Sequence, residues 1–145
     1  MKILVLNGPN LNLLGRREPE IYGSLSMEQI NAELTTHFPK TQLDFFQSNC
    51  EAVLIDALHA ACSNYAGVVF NPAAFTHYSI ALRDAIAAIT VPVVEVHLSN
   101  PEQRENFRKI NLVRDVCASH FQGHGAQSYM DAVNYLIGRN TDGSV

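Results

Sequence analysis

The chain has 145 residues, of which 47% are hydrophobic and 17% are charged, and its formal net charge is -4 at pH 7. This composition is typical of a folded globular protein rather than a disordered or fibrous one, and the length suits one domain over residues 1–145. The negative charge and the scattered basic residues argue against a protein that binds nucleic acid.

The chain also lacks the sequence features of a membrane or secreted protein. No apolar stretch approaches the roughly 20 residues that cross a bilayer, so no membrane partner is expected, and no leader pattern precedes the first predicted strand. Three cysteines, Cys50, Cys62 and Cys117, show no CxxC spacing. An odd number of unpaired cysteines predicts neither a disulfide framework nor a zinc site, and it favours a cytoplasmic location.

Five short and nearly all-apolar runs alternate with helical patterns along the chain. This alternation is typical of a parallel α/β sheet, whose strands are covered on both faces and therefore apolar throughout. The predicted strands are Ile3–Leu6, Leu43–Gln47, Gly67–Asn71, Val93–His97 and Val116–Phe121.

Capping patterns mark the first two helices between these strands. Ser26 with Gln29 forms a capping box, in which each side chain bonds a free backbone N–H of the first turn. Ser48 with Glu51 repeats the pattern one strand later. Both predict a helix start directly after the serine.

The later helices are marked by proline and glycine. Asn100 followed by Pro101 predicts a helix start, because proline is favoured at the first helical position. The last helix is predicted over Gln127–Ile137, with Gly138 behind it. Residues 139–145 are interpreted as a frayed tail.

The predicted elements together indicate a flavodoxin-like three-layer α/β sandwich with a five-stranded parallel sheet of order 2-1-3-4-5. Ligands of such sheets bind outside the carboxyl ends of the strands, where the winding reverses between strands 1 and 3. The loops after strands 1, 3 and 4 are therefore predicted to meet at a binding site.

These three loops carry the unusual polar residues of the sequence. Taken singly, each has an ordinary structural interpretation, such as a turn at Asn71-Pro72 or a solvated position for Arg16 and Arg17. Together they supply acid–base groups, cations and orienting amides at one place. The candidates are Asn7, Asn10, Asn12, Arg16, Arg17 and Tyr22 after strand 1, Asn71 and His77 after strand 3, and Glu95, His97, Ser99, Arg104 and Arg108 after strand 4.

The segment after strand 4 also has the pattern of an anion site. A helix starting at Asn100 would present backbone N–H groups near Leu98 and Ser99 to a carboxylate or phosphate. Arg104 and Arg108 are four residues apart, so on a helix they share one face. Either arginine could complete the site or form a solvated salt bridge.

The sequence lacks the motifs of several other kinds of functional site. The sequence has no GxGxxG, GxxxxGK[ST] or GxSxG pattern, which leaves nucleotide sites and a serine-hydrolase elbow unsupported. None of Lys2, Lys40 and Lys109 is well placed for a Schiff base. His120 and His124 lie in a strand end and a glycine loop, so a metal site is not expected there.

The remaining groups suit metal-free acid–base chemistry on a small anion. A tyrosine has an ordinary pKa of about 10, so a tyrosine base needs a nearby cation that stabilises its phenolate. Arg17 precedes Tyr22 by five residues in one loop and is the candidate for this cation, and a histidine from another strand end could act as the acid. The residues alone indicate either proton abstraction beside a carbonyl or an elimination.

Four long motifs resemble one family, the type II 3-dehydroquinate dehydratases. They are ILVLNGPNLNLLGRREPEIYG, QSNCEAVLIDALH, VVFNPAAFTHYSIALRDAI and VPVVEVHLSNPEQRENFRK, and they follow one another over most of the chain. The resemblance implies dehydration of 3-dehydroquinate to 3-dehydroshikimate without metal or cofactor, in the shikimate pathway or in quinate breakdown. It also implies an anti elimination through an enolate-like intermediate.

The resemblance further implies a role for each matching residue. Tyr22 would remove the C2 proton, Arg17 would stabilise the charged tyrosine, and His97 would protonate the departing hydroxyl. Asn10 would lie near the enolate. The groups implied to hold the substrate are Asn71, His77 and Arg108 for ring oxygens, the backbone amides of Leu98 and Ser99 for the carboxylate, and Asp84, which would reach the site of a neighbouring subunit.

A dodecamer built from trimers is the assembly that the resemblance implies, and the loop around residues 15–23 would close over substrate as a lid. Gly15 and Gly23 would be the positions where its backbone angles change. A flavodoxin-like module that only binds a small anion stays open as the alternative, and the roles of Arg104 and Glu95 are left unassigned.

Overall fold

The computed structural model describes residues 1–143 and contains a five-stranded sheet with helices on both faces. The strands are β1 Lys2–Asn7, β2 Gln42–Gln47, β3 Gly67–Asn71, β4 Val93–His97 and β5 Ser119–Gln122. Their order is β2-β1-β3-β4-β5, and all four strand pairs are parallel. The predicted flavodoxin-like sandwich and its strand order are thus confirmed.

Two apolar clusters hold the helices on the sheet. The helices are α1 Pro19–Tyr22, α2 Met27–His37, α3 Glu51–Asn64, α4 Ile80–Ala88 and α5 Ala126–Asp142. Side chains of α2 and α5 pack with Ile3 and Val5 on one face, and side chains of α3 and α4 pack with Leu4 and Leu6 on the other. Because successive strand residues point to opposite faces, the apolar run of β1 serves both clusters.

The strand register brings the polar strand ends together. Asn7, the last residue of β1, is paired with Asn71, the last residue of β3. Parallel strands end at the same edge of the sheet, so the loops behind β1, β3 and β4 begin side by side. The predicted meeting of these loops follows from this register.

The two predicted capping boxes have different outcomes. At α2 the box is confirmed, with Gln29 N–H donating to Ser26 Oγ at 3.1 Å and Ser26 N–H donating to Gln29 Oε1 at 2.8 Å. At α3 it is wrong, because the N-cap is Cys50 and Ser48 Oγ accepts instead from Cys50 N–H at 3.0 Å. Ser48 N–H still bonds to Asn7 O of β1, so the chain remains extended there.

The fifth strand begins later than predicted. The segment Arg114–Val116 is a 3₁₀ turn, and β5 covers Ser119–Gln122 rather than Val116–Phe121. The side-chain Oδ1 of Asn111 accepts from the N–H groups of Val113 and Arg114, which bends the chain before the strand. This side-chain turn competes with the extended conformation that the apolar run favours.

The last helix continues past its predicted end. It runs through Gly138 to Asp142, so a helix stop at Gly138 and a tail from residue 139 are both wrong for the described part. A glycine inside a helix costs about 1 kcal/mol relative to alanine, which is too little to end a helix by itself. The backbone bonding continues beyond Gly138, with Gly143 N–H donating to Arg139 O at 3.1 Å. Residues 144–145 of the predicted tail lie outside the described residues.

None of the helices within residues 1–143 combines the length and apolar character needed to cross a membrane.

Candidate active site

A pocket of about 170 Å³ opens at the carboxyl ends of β1, β3 and β4. The loops after β1, β3 and β4 form its walls, as the parallel sheet topology predicts. Nine of the ten residues whose roles the family resemblance implies contribute to it: Asn10, Arg17, Tyr22, Asn71, His77, His97, Leu98, Ser99 and Arg108. The tenth, Asp84, is exposed on α4 and does not line this pocket of the single chain.

The loop after β1 is shaped by residues in the left-handed backbone region. Gly15 and Gly23 both have φ of +87°, and Asn10 and Glu18 have φ of 68° and 36°. A side chain disfavours such angles, so glycine is suited to the two predicted hinge positions. The short helix α1 follows Glu18 and places Tyr22 at the pocket.

Tyr22 lies against two guanidinium groups. The Arg17 Cζ atom is 4.6 Å from the Tyr22 ring centroid, and the Arg104 Cζ atom is 5.1 Å from it. Both are within the roughly 6 Å over which a cation and an aromatic ring attract each other. Arg104, whose role was left unassigned, is therefore part of the same site as Arg17, whereas Arg16 is exposed and lies outside the pocket.

The ends of β1 and β3 are joined by a backbone hydrogen bond and by the Tyr129 hydroxyl. Gly8 N–H donates to Asn71 O at 2.8 Å, and a Cβ atom at Gly8 would lie 2.6 Å from Pro72 O. Asn71 Nδ2 donates to the Tyr129 hydroxyl at 2.9 Å, which donates to Asn7 Oδ1 at 2.6 Å. An amide nitrogen has two hydrogens, so Asn71 retains one for a ligand.

His77 is fixed by its Nδ1 atom. This nitrogen lies 2.7 Å from Ile110 O, and because a carbonyl only accepts, Nδ1 carries the proton. Burial, followed by the charges of His97 and Arg108, lowers the pKa of His77 below its ordinary value. Nε2 is therefore left as an acceptor in the neutral ring, which suits a hydroxyl group.

His97 is paired with a fully buried carboxylate. Its Nε2 atom lies 3.0 Å from Oε2 of Glu95, whose relative exposure is 0%. A carboxylate only accepts, so Nε2–H is the donor and Nδ1 is the ring nitrogen left for the pocket. Glu95 thus orients the imidazole.

Glu95 remains ionised although it is buried. Burial by itself raises the pKa of this carboxyl, but bonds from His97, Arg114 and Asn111 outweigh burial and hold the pKa at about 2, against an ordinary 4.5. Arg114 Nε donates to Oε1 at 2.8 Å, and Asn111 Nδ2 donates to Oε2 at 2.6 Å. Sequence reasoning missed Asn111 and Arg114, because they follow Glu95 by 16 and 19 residues in a segment without a motif.

The segment after β4 differs from its prediction. Pro101–Gln103 is a single 3₁₀ turn capped by Asn100, so no long helix offers its N-terminus to an anion at Leu98 and Ser99. Arg104 and Arg108 belong to separate segments rather than one helical face, yet both line the pocket. Arg108 Nε donates to Glu105 Oε2 at 2.6 Å.

The loop carrying Leu98 and Ser99 is held by the turn before α5. Gly123 N–H donates to His97 O at 3.3 Å, and Gly125 N–H donates to Leu98 O at 3.0 Å. His120 and His124 are both exposed on this side. Within residues 1–143, no three His, Cys, Asp or Glu side chains converge as a metal site would require.

Comparison with known proteins places these features in context. Residues 1–137 match the family model described as Dehydroquinase class II. The 3-dehydroquinate dehydratase of Pelodictyon phaeoclathratiforme is 54% identical over 141 residues, which cover 95% of this chain and 93% of that protein. The protein of the same name from Bacillus licheniformis is 50% identical over 140 residues, with coverage of 95% and 97%.

A solved structure agrees over nearly the whole chain. The crystal structure of the type II dehydroquinase from Butyrivibrio crossotus matches with a TM-score of 0.91 and 41% sequence identity, and the match covers 94% of this chain and 97% of that one.

Proposed function

The chain belongs to the class II dehydroquinase family, and we propose that it dehydrates 3-dehydroquinate to 3-dehydroshikimate by an anti elimination in which Tyr22 is the base and His97 the acid. It is a hydro-lyase of the shikimate pathway or of quinate breakdown. One observation carries the mechanism: a tyrosine beside two arginines and a histidine on a buried carboxylate line the same pocket.

Tyr22 is the group suited to remove the C2 proton. The positive charges of Arg17 and Arg104 beside its ring would stabilise the negative charge that the Tyr22 oxygen carries when it acts as a base. When the phenolate takes the proton, the electron pair of the C2–H bond moves to the neighbouring C3 carbonyl and forms an enolate. Asn10 lines the same pocket, and its amide would stabilise that developing charge.

His97 is the group suited to complete the elimination. The enolate re-forms the carbonyl, the C1–O bond breaks, and the proton on Nδ1 of His97 passes to the leaving hydroxyl, which departs as water. Glu95 stabilises the imidazolium that this step requires. The proton gained by Tyr22 must return to His97 before the next cycle.

The remaining pocket residues suit the polar groups of the substrate. Asn71 retains an N–H and His77 an acceptor nitrogen for ring hydroxyls, and Arg108 offers donors to a further ring oxygen. The backbone at Leu98 and Ser99 is assigned to the carboxylate. Since the 3₁₀ turn adds little macrodipole, the nearby arginines supply most of the positive potential.

We further propose a homododecamer built from trimers, in which Asp84 completes the site of a neighbouring subunit. Asp84 is exposed on α4, and the exposed apolar residues Tyr78 and Ile80 precede it. Exposed apolar side chains close together are typical of subunit contacts. A cytoplasmic location is proposed because the three cysteines are free.

Turnover of 3-dehydroquinate by the purified protein tests the function, followed through the ultraviolet absorbance of the conjugated product. We expect Tyr22→Phe to lower kcat by about 10²- to 10⁴-fold, the range for loss of a general base. The matched control is Tyr135→Phe on α5, which removes a hydroxyl that donates to Ala118 O at 3.3 Å and does not line the pocket. Full activity in Tyr22→Phe would refute the mechanism, and substrate binding without turnover in the wild type would identify a binding module.

A further inference from the structure

Arg114 connects the buried Glu95 carboxylate to the loop after β4. Its Nε atom donates to Glu95 Oε1 at 2.8 Å, Nη1 to Glu102 Oε1 at 3.2 Å and Nη2 to Gln122 Oε1 at 2.5 Å. Gln122 Nε2 in turn donates to Asn100 Oδ1 at 3.2 Å. The guanidinium therefore uses its fixed fork to hold three partners at once.

Asn111 holds both Arg114 and Glu95. Its Oδ1 atom accepts from the N–H groups of Val113 and Arg114 at 3.0 and 2.8 Å, and this fixes the turn from which the arginine side chain leaves. Its Nδ2 atom donates to Glu95 Oε2, the same oxygen that accepts from His97. The arginine and the acid are therefore bound to opposite oxygens of one carboxylate.

We propose that Arg114 is a positioning residue for the acid of the reaction, because its bond to Oε1 fixes the Glu95 carboxylate whose other oxygen orients His97. The proposal rests on the proposed function of His97. Arg114 does not line the pocket, so it acts through Glu95 rather than on the substrate.

The electrostatic effect of Arg114 has a definite sign. Its charge partly neutralises Glu95, so removing it leaves the carboxylate more negative towards His97 and makes the imidazolium a weaker acid. Without Arg114, Asn111 still donates to Oε2 and keeps Glu95 beside His97, but Oε1 loses both its donor and its cation. The other charged or titratable groups facing His97 line the pocket: His77, Tyr22, Arg17, Arg104 and Arg108.

The chain offers a matched control in Arg83. This α4 side chain holds the same segment, donating to Leu112 O at 2.8 Å and pairing with Asp115. Within residues 1–143 its side chain bonds Leu112 and Asp115 and does not bond Glu95. Arg83→Met therefore removes bonds to the segment 112–115, as Arg114→Gln does, but it leaves the ion pair between Arg114 and Glu95 intact.

The test compares Arg114→Gln, Arg114→Lys and Arg83→Met with the wild type. Two quantities are measured: the pH profile of kcat, and the titration midpoint of the His97 imidazole by NMR. For Arg114→Gln we expect kcat to fall about tenfold with little change in KM. The His97 midpoint and the alkaline limb of the kcat profile should both move to higher pH, because a positive charge is lost beside Glu95.

The other two variants separate charge from structure. Arg114→Lys keeps a cation but loses the fork, so its His97 midpoint should lie closer to the wild type and its kcat should fall less than in Arg114→Gln. Arg83→Met should leave both quantities unchanged. The proposal is overturned if Arg83→Met reproduces the loss, if Arg114→Lys loses as much as Arg114→Gln, or if the His97 midpoint moves down in either Arg114 variant.

Failure of the proposed function is distinguishable from failure of this inference. If Arg114→Gln does not fold, Arg114→Lys and Arg83→Met decide the question by the same two measurements. The NMR titration needs no substrate, so it reports the coupling of Arg114 to His97 even in a protein without turnover. A shifted midpoint without any dehydratase activity would reject the acid role and keep the coupling.

Discussion

The two sides of the pocket are built in different ways. Around Tyr22 the chain turns through left-handed residues at Gly15, Glu18 and Gly23. The Arg17 guanidinium contacts the Tyr22 ring, and within residues 1–143 neither side chain forms a hydrogen bond. Around His97 a buried carboxylate accepts hydrogen bonds from three side chains. The base side thus depends on a loop conformation and the acid side on a buried network.

This difference predicts different responses to mutation. A buried charged network is costly to interrupt, because each remaining partner loses its compensating charge. Cations stacked on a partly exposed ring contribute little to folding, yet they stabilise the charge that the reaction needs. Changes on the acid side should therefore lower both stability and activity, and changes on the base side mainly activity.

The largest effect on stability is expected from Glu95→Gln. Breaking a buried ion pair typically costs about 3–5 kcal/mol, and because the Arg114 side chain is 26% exposed we expect about 2 kcal/mol here. Urea unfolding measures this change. The matched control is Glu102→Gln, which removes the exposed partner of the same arginine and should cost less than about 0.5 kcal/mol. Equal losses in the two variants would contradict the buried-network interpretation.

A smaller effect on stability, with a clear loss of activity, is expected from Arg17→Ala. Removing one of the two cations beside Tyr22 should lower kcat by about 10- to 100-fold, because the phenolate loses part of its stabilisation. Steady-state kinetics and thermal unfolding are measured together. Arg16→Ala is the matched control, since this neighbouring arginine is exposed and lies outside the pocket. Similar kinetics in the two variants would remove Arg17 from the mechanism.

The smallest effect is expected in the pH dependence of stability at His77. Burial lowers the pKa of His77 in the folded protein below its ordinary 6.5, so the unfolded chain binds this proton more readily. The resulting stability is fully present above pH 6.5 and is lost as pH falls through the lower folded pKa. The Glu95 carboxyl affects the pH dependence of stability in a separate range, because its stabilising contribution is lost as the pH falls from 4.5 to about 2.

His77→Gln isolates that contribution. The free energy of unfolding of the variant should decline less steeply than that of the wild type as the pH is lowered from 6.5 towards 5, as measured by urea unfolding at each pH. Parallel curves for the two proteins would show that His77 titrates alike in the folded and unfolded chains.

Much of the site was predictable because its residues follow apolar strands. Tyr22, His77 and His97 come after β1, β3 and at the end of β4, and the parallel topology places such ends at one edge of the sheet. The strand Gly67–Asn71 and the Ser26 cap were likewise predictable from short-range patterns. These features depend on neighbours within a few residues or on a general rule of the fold.

Other features depended on contacts between distant segments. Asn111 and Arg114 reach Glu95 from 16 and 19 residues away, and Tyr129 of α5 bonds Asn7 across 122 residues. The predicted start of β5 at Val116 was wrong because a side-chain turn at Asn111 bends the chain. No local pattern encodes such partners.

The sequence by itself determined the sheet, the strand order and the motifs that resemble the dehydratase family, because apolar periodicity and strand-end residues are local properties of the chain. Tertiary structure decided which cations lie beside Tyr22 and what holds His97. It placed Arg104 with Arg17, replaced the predicted helix at Asn100 with a single turn, and buried Glu95 within a network. The physical reason is that charge stabilisation acts through space, between groups that only the folded chain brings together.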